Sequence, residues 1–345
     1  GLHVVATSSF TARPDLPTQG KDLAFGLAVN RAIDTELEQR PEVVVFGEDI
    51  AIPGGTFGVT RNLRKRHGDS RVFDTPISEA AILGAALGCS LEGMKPIVEI
   101  MWADFMLVAF DQLVNQAANV RYISSGRVHA PMVVRMQQGA TPGSCAQHSQ
   151  SLEALLTHIP GLKVGLPSNA QDGYAMLRAA VADPDPVILI EARALYLTQG
   201  VVDLDAATET VGGSRLRRAG TDLSIITWGT MVPASIAAAE SLALDGISAS
   251  VLDLRWLNPL DEDAINEQVG KTGRALVVHE ANLTGGFGAE VAARINESHF
   301  GRMRAPVARV GTQDSRIPSS PTLMRALVPS TETIAARARL LMESS

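Results

Sequence analysis

Val43-Val44-Val45-Phe46-Gly47-Glu48-Asp49 sets an unbroken apolar run ahead of a glycine and two acids. Alternating apolar and polar residues would mark a strand with one wet face, whereas a continuous run marks a strand buried on both faces. Upstream, residues 21–38 carry helical periodicity. Downstream, similar apolar runs recur at 97–100, 132–134, 162–166 and 187–190, separated by helical stretches at 79–91, 103–120, 151–158 and 170–182. Strands of this kind alternating with helices predict a parallel sheet covered on both sides. A polar, glycine-containing stretch at 203–220 interrupts the series. A second one then follows, with strands expected at 223–227, 248–252, 275–278 and 307–310 and helices at 233–244, 261–269 and 287–297.

The expected fold is therefore α/β: two three-layer α/β domains with mainly parallel sheets. An N-terminal arm occupies 1–20, with Pro14 and Pro17 favouring extended chain, and the domains span 21–205 and 206–345. A chain of 345 residues is too long for one ordinary core, in agreement with two units. Its 46% hydrophobic and 19% charged residues describe a globular protein rather than a disordered one. A net charge of −7 gives no electrostatic reason to expect nucleic acid. No apolar run is long enough to span a bilayer and the first residues lack a secretory pattern, so a cytoplasmic location is expected. Cys89 and Cys145 alone supply neither a disulfide framework nor a cysteine zinc site.

Four segments carry candidate chemistry. In Asp74-Thr75-Pro76-Ile77-Ser78-Glu79, Pro76 fixes the backbone, Ser78 is expected to cap the following helix, and Glu79 opens it. Shielded from water there, Glu79 suits proton exchange; on a wet surface it would merely support the helix start. Glu48 and Asp49 leave the carboxyl end of a buried strand, where ligands of parallel sheets gather, and a second carboxylate near Glu79 would raise at least one pKa. Met101-Trp102-Ala103-Asp104-Phe105 follows the strand ending at residue 100. Phe105 offers a face to a flat heterocycle, or serves simply as core. His148, in Gln147-His148-Ser149-Gln150 beyond a glycine-containing loop, can exchange protons near neutrality or lie as an ordinary surface histidine. Thr284-Gly285-Gly286-Phe287-Gly288 lacks dinucleotide spacing and fits tight turning better. Neither serine beside His148 lies in a Gly-x-Ser-x-Gly elbow.

Together these runs resemble the β subunit of the thiamine-diphosphate-dependent E1 component of 2-oxo acid dehydrogenase complexes, a family that includes pyruvate, branched-chain and acetoin enzymes. Further matching runs are Asp111-Gln112-Leu113-Val114-Asn115-Gln116, Pro160-Gly161-Leu162-Lys163-Val164 and Val251-Leu252-Asp253-Leu254-Arg255. The likeness extends from about residue 21 onward and implies a transketolase-like pyrimidine-binding domain followed by a transketolase C-terminal domain. It implies that Glu79 hydrogen-bonds the cofactor's aminopyrimidine and that Glu48, Ile77, Met101 and Phe105 belong to the same pocket. It also places His148 near the substrate and the incoming lipoyl group. The expected reaction is oxidative decarboxylation of a 2-oxo acid with acylation of the lipoyl group of an E2 acyltransferase.

The family's Gly-Asp-Gly motif for Mg²⁺ and diphosphate is missing: Gln171 precedes Asp172-Gly173 and Leu244 precedes Asp245-Gly246. The resemblance thus assigns Mg²⁺ to an α partner, in an α₂β₂ tetramer or fused ahead of Gly1. It further implies a K⁺ site of backbone oxygens around Met132, Ala180, Val181, Asp183 and Asp185. The same residues also read as a plain helix end and a proline-enforced turn. Two other functions fit the fold: a thiamine-diphosphate enzyme of transketolase type, and a noncatalytic assembly subunit.

Overall fold

The computed structural model describes residues 16–343; the first fifteen residues of the expected arm lie outside the described residues. A seven-stranded sheet forms the first unit. Its spatial order is Trp256–Asn258, Lys163–Gly165, Val187–Ala192, Val133–Gln138, Lys95–Ile100, Val43–Gly47 and Val72–Asp74. All neighbours run parallel except the first pair. A five-stranded sheet forms the second unit, in the order Ala308–Thr312, Ala275–Asn282, Leu223–Thr227, Ala249–Asp253 and Arg215–Arg218, with only the last strand antiparallel.

Side-chain alternation splits the first sheet between two cores. Val43, Val45, Ile97, Val133 and Leu189 pack with the helices Phe25–Gln39 and Ala170–Ala182. Val44, Phe46, Val98, Ile100 and Val134 pack with the helix Glu79–Leu91. This second core continues into the other sheet through Ile226, Leu252 and Val277, so the two units share one apolar interior. Among the described residues no helix is long and apolar enough to cross a membrane.

Two expectations are corrected, and one strand forms where none is expected. Lys21–Ala24 is a strand rather than the first turn of a helix. Pairing with Gln199–Val202 takes up its backbone, and the helix starts at Phe25, whose ring stacks on Tyr196. The single helix expected at 103–120 is broken into α, 3₁₀ and π turns between Ala103 and Ile123. Asn119 helps break it by donating its amide to the carbonyls of Val114 and Asn115, in competition with the helical ladder. Finally, Trp256–Asn258 leaves its own half of the chain to extend the first sheet. Leu254 N–H still bonds Thr227 O in the second sheet, while Arg255 O accepts from Leu166 N–H in the first. Arg255 makes this crossing in the left-handed region, at φ 57. Trp256 then lies on Gly165, where a Cβ would meet the indole at 2.7 Å, so only glycine fits.

Candidate active site

Four adjacent strands of the first sheet deliver the expected residues to its carboxyl end. Val72–Asp74 leads to Ile77 and Glu79, Val43–Gly47 to Glu48, Lys95–Ile100 to Met101 and Phe105, and Val133–Gln138 to the loop bearing His148. Gly47 lies so close to its neighbour strand that a Cβ would meet Glu99 O at 2.8 Å. Two bonds from Asp74 order the chain after Glu48: its carboxylate accepts from Ala51 N–H at 2.6 Å and Ile52 N–H at 3.1 Å. Thr75 N–H donates to Gly47 O at 2.9 Å. The Glu48 and Glu79 loops are thereby bound to each other.

The two acids interact electrostatically. Partial burial pushes the Glu48 carboxyl above its ordinary range, and the negative charges of Asp49 and then Glu79 push it further. Glu79 is the first residue of its helix and half-buried. Ser78 makes no side-chain cap, contrary to expectation: its extended φ of −163° directs the backbone into the helix without a hydroxyl bond. Ile77 is 75% exposed and Met101 is half-buried, so both present apolar surface beside the acids.

His148 is set against two aromatic rings. Phe105 meets it edge-on at 5.5 Å between centroids and Trp102 at 5.1 Å. The outer face of Trp102 carries the Arg193 guanidinium at 4.5 Å, and Phe57 carries the same group at 5.2 Å. Burial lowers the pKa of Arg193. Asp104 accepts from the Gln150 amide at 2.9 Å, linking the Phe105 segment to the residues after His148. Trp102 and Gln150 adjoined recognised motifs and were legible as neighbours. Phe57 comes from a distant loop and Arg193 from the 3₁₀ turn Arg193–Leu195, neither with a local signal.

Several residues of the expected K⁺ site bond the chain's own groups. Val181 O accepts from Lys95 Nζ at 2.7 Å, and Met132 O accepts from Val187 N–H at 3.0 Å. The amide of Asp183 bonds Ala180 O at 3.3 Å. The Asp183 carboxylate takes Lys163 Nζ at 2.6 Å, while Asp185 takes Arg121 at 2.6 Å and Lys163 at 3.2 Å. Asp185 Oδ1 is buried with no hydrogen-bond partner, so the turn keeps an oxygen that these groups do not satisfy. Among the described residues no group of three or more His, Cys, Asp or Glu side chains is arranged to hold a metal.

The fold and site define a two-domain protein of the transketolase class. The family model described as "Transketolase, pyrimidine binding domain" matches residues 21–199, and "Transketolase, C-terminal domain" matches 212–334. The chain is 43% identical to the acetoin:2,6-dichlorophenolindophenol oxidoreductase subunit beta of Cupriavidus necator, over 94% of this chain and 98% of that protein. It is 42% identical to the pyruvate dehydrogenase E1 component subunit beta of Bacillus subtilis, over 85% and 90%. A solved structure described as "Split gene transketolase, inactive beta4 tetramer" superposes with a TM-score of 0.77 at 23% identity, covering 94% of this chain and 99% of that one. The chain belongs to the family of E1 β subunits of thiamine-diphosphate-dependent 2-oxo acid dehydrogenases.

Proposed function

We propose that this chain supplies the pyrimidine half of a thiamine-diphosphate site, with Glu79 as its proton-handling group. The observation that carries this is the delivery of Glu79, Glu48, Phe105 and His148 by four adjacent strand ends. The residues fit the cofactor's heterocycle: half-buried Phe105 and Met101 and exposed Ile77 offer apolar contact, while Glu79 offers a carboxylate oxygen to a ring nitrogen. When bound, thiamine diphosphate would supply the electron sink that lets the carbonyl carbon of a 2-oxo acid hold the electron pair left by departing carbon dioxide. Glu79 holds or releases a proton at its carboxylate oxygen; burial, Asp49 and then the charge of Glu79 hold the nearby Glu48 carboxyl above its ordinary range. His148, braced by Trp102 and Phe105, exchanges a proton with the anionic substrate or with the sulfur that accepts the acyl group.

Mg²⁺ and the diphosphate belong, in this proposal, to an α partner, because this chain carries no Gly-Asp-Gly run. A cytoplasmic complex with a lipoyl-bearing E2 acyltransferase completes the reaction, with a 2-oxo acid as substrate. Relatives named for acetoin and for pyruvate stand at nearly equal identity, 43% and 42%.

Reconstitution with the α partner, thiamine diphosphate and Mg²⁺ tests the assignment. Glu79→Gln should lower decarboxylation of the preferred 2-oxo acid by about 10²–10⁴-fold, the usual scale of a positioned proton-transfer group. Undiminished turnover would overturn it, and sugar-phosphate products would select the transketolase type.

A further inference from the structure

The His148 loop leaves the strand Val133–Gln138 at Gly139 and is anchored near both ends by the second unit. At its start, Ala140 N–H donates to Glu280 Oε1 at 2.6 Å. Gly139 accommodates that carboxylate: a Cβ there would lie 3.0 Å from each Glu280 oxygen, at a φ of 100° that disfavours other residues. Near its end, Arg316 donates to Gln150 Oε1 at 2.7 Å, while the opposite end of the same amide donates to Asp104 at 2.9 Å. Glu280 lies on the strand Ala275–Asn282, and Arg316 follows the strand Ala308–Thr312. A cleft of about 420 Å³ separates these anchors and is lined by Ala140, Ser149 and Gln150 on one side and Glu280, Thr312 and Arg316 on the other.

We propose that Glu280, assisted by Arg316, is a positioning residue through which the C-terminal domain sets the His148 loop for acyl transfer. None of the expected cofactor-pocket residues lies on that domain, and these bonds give it a direct hold on the reacting half. The loop's own bonds leave this task to it. Gln138 accepts Leu152 N–H at 3.1 Å and donates to Glu153 at 2.9 Å, which closes the base of the loop. Ser149 bonds Cys145 O at 2.5 Å within the loop. These contacts fix the loop's shape. Asp104 and the Trp102 and Phe105 rings hold it to the first unit, and the bonds from Glu280 and Arg316 fix its placement against the second. Burial and the charge of Glu153 push the Glu280 carboxyl upward in pKa, while the bonds from Thr230 and Ala140 oppose this.

The proposal rests on the role given to His148, and its test separates the two. In the α-reconstituted enzyme, hydrogen exchange at amides 140–151 and steady-state acylation of a lipoyl domain are compared, with pyruvate and 2-oxoisovalerate as probes. Glu280→Ala should speed exchange and lower kcat for acylation about tenfold with KM for the 2-oxo acid little changed, the signature of a displaced reacting group. Glu280→Gln keeps an acceptor for Ala140 N–H and should restore both. Arg316→Met, at an exposed site, should loosen the Gln150 end without disturbing the fold, and so decides the matter if Glu280→Ala unfolds. Unchanged exchange in the folded variants overturns the proposal whatever their activity. Normal acylation by His148→Ala overturns the His148 role instead, and leaves exchange to judge the positioning.

Discussion

At the scale of single residues, Glu48 carries a consequence that Glu79 does not. Its carboxyl is held above the ordinary glutamate value of 4.5 by burial, Asp49 and Glu79. A raised folded-state pKa means that the folded chain binds this proton more tightly than the unfolded chain. Glu48 therefore favours the fold below about pH 4.5 relative to higher pH, and that advantage is lost as pH rises through the raised value. Glu48→Gln should unfold at a higher temperature than wild type near neutrality, with the gap closing as pH falls below the ordinary glutamate range. Thermal unfolding of the cofactor-free chain across pH would show it, and a gap independent of pH would contradict it. The acids and His148 were legible because each follows a buried strand or opens a helix. The partners that brace them were not: Phe57 and Arg193 reach Trp102 through tertiary folding alone.

Among the elements, the strand Val133–Gln138 shows where hydrophobic patterning stops. The apolar run predicts a strand ending at Val134, because the next residue is an arginine. Yet Arg135 is 1% exposed and the strand continues through Gln138. Arg135 grips Glu191 with Nε at 2.7 Å and Nη2 at 2.8 Å, and Glu99 with Nη1 at 2.8 Å, across two neighbouring strands. Tyr196 adds a bond to Glu191 at 2.6 Å. Burial pushes the Glu99 carboxyl upward, while the charge and hydrogen bond of Arg135 pull the other way. Arg135→Met removes that charge and leaves both acids buried, and should destabilise the chain by about 3–5 kcal/mol in chemical denaturation. A loss below about 1 kcal/mol, the range of an exposed pair, would refute the triad's role. Such a network is invisible in one sequence because each partner lies on a different strand and the pairing depends on register.

The whole molecule is less divisible than its two families of strands suggest. Both sheets share an apolar core, and Trp256–Asn258 completes the first sheet from within the second half. Ionic bonds reinforce the junction: Asp172 of the first unit accepts from Arg255 at 3.0 Å and also from Arg217, which in turn bonds Asp253 at 2.9 Å. The two-domain α/β plan was readable from the alternation of strands and helices. The exchanged strand was not, since three residues are too few to show a period and their partner is remote in sequence. A fragment of residues 21–205 should therefore fail to unfold cooperatively and should bind a hydrophobic dye, because it lacks Trp256 and exposes the edge at Lys163–Gly165. Cooperative unfolding of a monomeric fragment would contradict this. The same crossing imposes an order on biosynthesis. The half that leaves the ribosome first must keep one sheet edge and the Trp256 cavity open until residue 258 has emerged, so folding of the nascent chain is tied to synthesis of its downstream half and depends on protection of that edge in the interval.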